Sequence, residues 1–142
     1  MSAARPLAER LAILIWRLGF FVPLLFCTYL ALVPVPPDNA VFRLSDVILH
    51  AAAFSYLTFA FVLMDTGPRF NRSLALRATL VMLAYGVFLE VVQSFIPQRT
   101  AELKDLGVDL LGIGVGLLLA ALLGRPLKSL LNRLFDGMFG AR

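Results

Sequence analysis

Ala78–Ile96 reads ATLVMLAYGVFLEVVQSFI, an apolar run with a single ionisable residue, Glu90, and an amide, Gln93, three positions on. It breaks at Pro97 and meets Arg99, giving LEVVQSFIPQR over Leu89–Arg99. A run of this length suits a bilayer crossing, which takes about 20 predominantly apolar residues. A carboxylate inside such a run is costly unless it faces protein or water. What Glu90 is doing there therefore depends on the rest of the chain.

Three further runs resemble the first: Leu18–Val35, preceded by LAILIWR, then Val47–Met64 and Leu106–Gly124. Their boundaries are breakers and charges, with PVPPDN after the first, DTGPRFNR after the second, PQR after Ile96 and GRP after Gly124. The chain reads as an all-α membrane protein, one domain over residues 1–142 with four transmembrane helices. The spans are expected at 13–35, 46–65, 75–96 and 105–124, with 125–142 as an amphipathic tail. The first run has a basic front like a signal peptide, but no small-x-small site follows it, so it is read as a retained span. Phe26 before Cys27 likewise argues against a lipidated cysteine, leaving Cys27 as apolar filling.

Composition agrees. Hydrophobic residues make up 60%, charged residues 15%, and the mean hydropathy is +0.86. Soluble proteins sit near about 45–50% and about 25%. One Cys and one His exclude a disulfide framework and a Cys- or His-rich zinc site. The net charge of +4 does not point to nucleic acid, because the basic residues flank apolar runs and form no stripe interleaved with aromatics.

Those flanking cations set the orientation. Arg5, Arg10, Arg69, Arg72, Arg77, Arg125, Lys128, Arg133 and Arg142 lie on one side, and Arg43, Arg99 and Lys104 on the other. By the positive-inside rule both termini are cytoplasmic. In the tail, Leu127, Leu130, Leu131, Leu134, Phe135 and Met138 recur at helical spacing, with Arg125, Lys128, Asn132 and Arg133 largely opposite. This is the pattern of an interfacial helix resting on anionic lipid. Arg17 is read as snorkelling to the inner surface, and Asp65 as opening a turn with TGP.

The polar residues within the spans now fall into pairs. Asp46 and His50, four apart, open the second span and share a helical side. Glu90 and Gln93 approach the same boundary from the third span, and Asp105 and Asp109, four apart, open the fourth. At about 1.5 Å per residue, His50, Glu90 and Asp109 are expected roughly 6–10 Å inside the outer boundary. Isolated carboxylates at that depth cost a few kcal/mol each, so the pairs should face one another. Arg99, with Arg43 and Lys104, supplies cations from the outer connections. The candidate pocket is Asp46, His50, Glu90, Gln93, Arg99, Asp105 and Asp109. Gly112 and Gly116 form a small-xxx-small pair, joined by Gly107 and Gly114, and are read as helix packing.

These residues resemble the VanZ-like family of small bacterial membrane proteins, whose pattern is an Asp and a His four apart, then E..Q.F.P.R and D...N..G...G. The chain supplies Asp46, His50, Phe54, Glu90, Gln93, Phe95, Pro97, Arg99, Asp105, Gly112 and Gly116, within Ser45–Leu119. Asp109 stands where the family has Asn, and Val47 where a Lys often follows the first Asp, so this site is more acidic. The resemblance implies a multi-pass protein of the bacterial cytoplasmic membrane. It also implies a link to glycopeptide resistance of the teicoplanin type.

Three functions fit the residues. The pocket binds a lipid headgroup, a lipid-linked envelope intermediate or a lipid-anchored glycopeptide, with Arg99 on a phosphate or carboxylate. Alternatively, the chain is an enzyme acting on a lipid phosphate, with His50 as base or phosphoryl acceptor, Asp46 or Glu90 orienting its ring and Arg99 neutralising the phosphate. A variant of this reading holds a divalent cation on Asp46, Glu90 and Asp109. Against an enzyme, there is no nucleophile motif, no Gly-rich phosphate loop and no HExxH, and no cofactor is expected. Thirdly, the network only fixes helix register. Tyr56 and Tyr85 are read as packing residues, and Ser94 and Thr100 as hydroxyls bonded to backbone or water. The binding reading is preferred, because intramembrane ionisable residues usually mark sites.

Overall fold

The structure, a computed structural model, describes residues 4–34, 46–65, 67, 70–97 and 103–139. Among the described residues there are four α-helices and no strand: α1 (Ala4–Leu32), α2 (Asp46–Met64), α3 (Arg72–Gln93) and α4 (Leu103–Phe139). Each contains a stretch long and apolar enough to cross a membrane, which marks a multi-pass membrane protein. Arg43, Arg69, Arg99, Thr100 and Arg142 lie outside the described residues. So does the side chain of Asp46, although its backbone opens α2.

The bundle is turned outward in its chemistry. Large apolar side chains such as Leu25, Leu111, Leu118 and Leu122 are exposed, as they are where lipid rather than water is the surrounding solvent. Inside, Phe20, Phe54, Leu57, Ala60, Met82 and Ile113 form one core cluster, and Val62, Leu74, Ala78 and Ala120 another. α2 contributes to both and packs against each of the other helices, most extensively against α4. α1 buries the smallest share of its apolar window, 11%.

Gly112 and Gly116 explain the tight α2–α4 pair. A Cβ at Gly112 would sit 2.7 Å from the Ala51 carbonyl oxygen and 3.0 Å from Phe54 Cβ. A Cβ at Gly116 would collide with the Ser55 carbonyl oxygen and lie 2.7 Å from Thr58 Cβ. The missing side chains let the two backbones meet, as small residues do between membrane helices.

Pro23 lies inside α1 and cannot donate to the carbonyl four residues back, Gly19. Tyr56 of α2 donates its hydroxyl to that carbonyl at 2.8 Å, so a neighbouring helix satisfies the group the proline released. Tyr85 and Thr28 are joined at 2.8 Å, and Thr28 Oγ1 donates its own proton to the Leu24 carbonyl at 2.8 Å. Tyr85 is therefore the donor to Thr28. Both tyrosines pack, and both also tie α1 to a neighbour.

The helix ends are specified locally. Asn71 caps α3, its side chain accepting from Leu74 N–H at 2.9 Å. At the other end, Ser94, Phe95 and Ile96 donate back to Glu90, Val92 and Gln93 before Pro97. The Ser94 hydroxyl donates to the Val91 carbonyl at 2.7 Å.

Gly124–Arg125–Pro126, read from sequence as the end of the fourth span, instead lies within α4. Packing against α2 holds the helix through the proline. Gly124 faces Leu63, and Lys128 Nζ donates to the Asp65 carbonyl at 2.6 Å. At about 1.5 Å per residue, α4 is about 55 Å long, well beyond a hydrocarbon core of about 30 Å.

Candidate functional site

The stripe of α4 that carries Gly112 and Gly116 also carries Asp105 and Asp109, since these positions are three or four apart. The glycines that draw α4 onto α2 therefore deliver Asp109 to α2 as well. Asp109 is 1% exposed, and its Oδ1 lies 2.9 Å from Nδ1 of His50. An ionised carboxylate only accepts, so in this pair the imidazole Nδ1–H donates. The other ring nitrogen, Nε2, makes no hydrogen bond to any described residue.

Phe54, one turn along α2, lies nearly parallel to the His50 ring at 11° with centroids 6.4 Å apart. It also meets Tyr85 of α3 at 5.8 Å. The imidazole is thus held by a carboxylate on one side and backed by an aromatic wall.

α3 completes the arrangement through Gly86, Glu90 and Gln93, which share one face and are all buried. A Cβ on Gly86 would sit 2.7 Å from Asp109 Oδ2 and 3.3 Å from Phe54 Cζ. Gly86 is what makes room for the aspartate. Sequence reading passed over it, although its place four residues before Glu90 on the same face was a usable signal. Gln93 Nε2 donates to the Ala31 carbonyl at 3.1 Å, in the last turn of α1, where carbonyls run short of helical donors.

Glu90 and Asp105 are 9% and 7% exposed, and both carboxylates lie within electrostatic reach of the His50 ring. Of the sequence-derived set, His50 and Asp109 are in direct contact, and Glu90, Gln93 and Asp105 are buried at the same end. Arg99, Arg43 and the Asp46 side chain fall outside the described residues, and Lys104 is exposed.

Chemically, the site can bind hydroxyls and cationic groups through its carboxylates and can move a proton at His50. Among the described residues, no group of three His, Cys, Asp or Glu side chains is placed to hold a metal ion. The cation variant drew on Asp46, whose side chain is not among them.

No family model, curated protein or solved structure matches the chain.

Proposed function

We propose that the chain is a VanZ-like protein of the bacterial cytoplasmic membrane that binds a lipid-linked headgroup beneath the extracytoplasmic leaflet. The ligand class is a phospholipid headgroup, a lipid-linked envelope intermediate or a lipid-anchored glycopeptide, in a glycopeptide-resistance-like role. The observation that carries this reading is the withdrawal of Glu90, Gln93, Asp105 and Asp109 from lipid at one end, beside His50. An uncompensated charge inside the hydrocarbon core is costly, by about 2.5–3.5 kcal/mol at its centre on insertion scales. Ionisable residues inside a membrane bundle mark functional sites by default, and here they come from three helices.

In this reading the carboxylates accept hydroxyls from the ligand, and Arg99 pairs with its phosphate or carboxylate. Both termini are cytoplasmic. The end of α4, continuous with the span, carries Leu127, Leu130, Leu134 and Met138 past the inner boundary, all of them exposed and able to meet the inner interface.

Native mass spectrometry of detergent-extracted protein tests the proposal. The wild type should carry a co-purified lipid that Glu90→Gln and Arg99→Ala lose while their membrane levels stay intact. If both variants disappear from the membrane, the network is structural. If both keep the lipid, the pocket does not bind it.

A second reading is favoured by one observation, the hydrogen bond of Asp109 to Nδ1 of His50 at 2.9 Å. A carboxylate at Nδ1 fixes the ring and leaves Nε2 to accept a proton, as a general base requires. On that reading the chain is a membrane enzyme acting on a lipid phosphate. Incubation with bacterial lipid extract should then release phosphate or alter the lipids, and persistent retention without turnover supports the binder.

A further inference from the structure

At the opposite end of the bundle, α1, α2 and α3 enclose a cleft of about 260 Å³ lined by Arg17, Phe61, Met64, Asp65, Leu74 and Arg77. Three of its six lining residues, Phe61, Met64 and Leu74, are apolar, and its charged groups are two guanidiniums and one carboxylate. These do not simply cancel. Asp65 Oδ1 is taken by Arg77 Nη2 at 2.8 Å, and Oδ2 accepts from Gly67 N–H at 2.9 Å. Arg17 makes no hydrogen bond or ion pair with any described residue. Among the described residues, one guanidinium is thus left over beside the apolar side chains of the cleft.

The wider surface has the same sign. Arg10, Arg72, Arg125, Lys128 and Arg133 lie at this end of the bundle, with Glu9 and Asp65 as acids among the described side chains. A ligand here needs an anionic head for Arg17 and a hydrocarbon chain for Phe61 and Leu74. A guanidinium suits phosphate, which it meets with two parallel N–H groups.

We propose that this cleft is a binding site for an anionic phospholipid of the adjoining leaflet, with Arg17 on its phosphate and an acyl chain against Phe61 and Leu74. The site is separate from the His50 end and does not depend on what that end binds.

A fluorescent reporter stands next to Arg17 in the chain, in an adjoining cleft that shares Met64 and Asp65 with this one. Trp16 is the only tryptophan, and it lines the neighbouring cleft of about 370 Å³ together with Lys128 and Asn132. The experiment places the full chain in phosphatidylcholine vesicles and follows Trp16 fluorescence. Brominated-chain phosphatidylglycerol or brominated-chain phosphatidylcholine replaces the host lipid stepwise. One Arg near an anionic surface is worth about fivefold in affinity. Phosphatidylglycerol should therefore occupy the position beside Trp16 about fivefold more readily than phosphatidylcholine. Arg17→Gln should bring the ratio near unity, while Arg72→Gln, at the same end but outside the cleft, keeps it. Glu90→Gln should also keep it, which separates this site from the one at the His50 end. Equal quenching by the two lipids in the wild type would overturn the proposal. So would a preference that survives Arg17→Gln, or one that Arg72→Gln removes as completely, because either outcome describes diffuse surface charge. Circular dichroism of the variants confirms equal helix content.

Discussion

The two ends of the bundle treat charge in opposite ways. At the His50 end, Glu90, Asp105 and Asp109 are buried between helices. At the Asp65 end, Arg17, Arg72, Arg77, Arg125 and Arg133 are exposed, and the pair between Arg77 and Asp65 is open to its surroundings. Long basic side chains can reach an interface while their stems stay in hydrocarbon. Aspartate and glutamate are too short to escape in that way, so at depth they must find partners inside the protein. The same helices therefore carry a built polar interior at one end and a snorkelling rim at the other.

Equivalent substitutions at the two ends should therefore differ in cost. The largest effect is expected for Asp109→Ala, which strips His50 of its hydrogen-bond partner. Losing a hydrogen bond to a charged group costs about 1.5–3 kcal/mol, read as a lowered unfolding midpoint in detergent. Next comes Gly86→Ala, whose methyl would press on Asp109 Oδ2 at 2.7 Å. Overpacking of this kind costs about 1–3 kcal/mol. Gly107→Ala is its control, since nothing lies within 4 Å of a Cβ there, and it should cost nothing. Equal losses at positions 86 and 107 would contradict the packing given for Asp109.

Smaller effects lie away from the polar end. Tyr56→Phe leaves the Gly19 carbonyl without the hydroxyl at 2.8 Å, and hydrogen bonds between membrane helices average about 0.6 kcal/mol. Arg77→Ala should change stability least, by less than about 0.5 kcal/mol, since many exposed ion pairs contribute nothing measurable. A loss at Arg77 as large as that at Asp109 would erase the distinction between the ends.

Much of this was legible in the sequence, and for identifiable reasons. Spans are written in uninterrupted apolar runs, so α2 and α3 sit close to where those runs lie. The polar pairs were legible because spacings of three and four define a helical face whatever the tertiary structure. Local rules failed where packing decides. GRP reads as a stop, yet α4 continues because Gly124 and Lys128 are held against the end of α2. Tyr56 reads as filling, and only the juxtaposition of α1 with α2 makes it the donor that Pro23 displaced. Gly86 is silent in sequence because its meaning is the space it leaves for a residue on another helix.

The central claim, that acidic groups of separate helices converge on His50, is most directly tested at that residue, the only histidine in the chain. Solid-state NMR of protein in bilayers, with ¹⁵N in the imidazole and ¹³C in the aspartate carboxyls, measures their separation. A strong dipolar coupling from Nδ1 to one carboxyl carbon is expected, in keeping with the 2.9 Å contact, and it should vanish in Asp109→Asn. An imidazole with no carboxyl nearby, or a coupling indifferent to that substitution, would contradict the convergence.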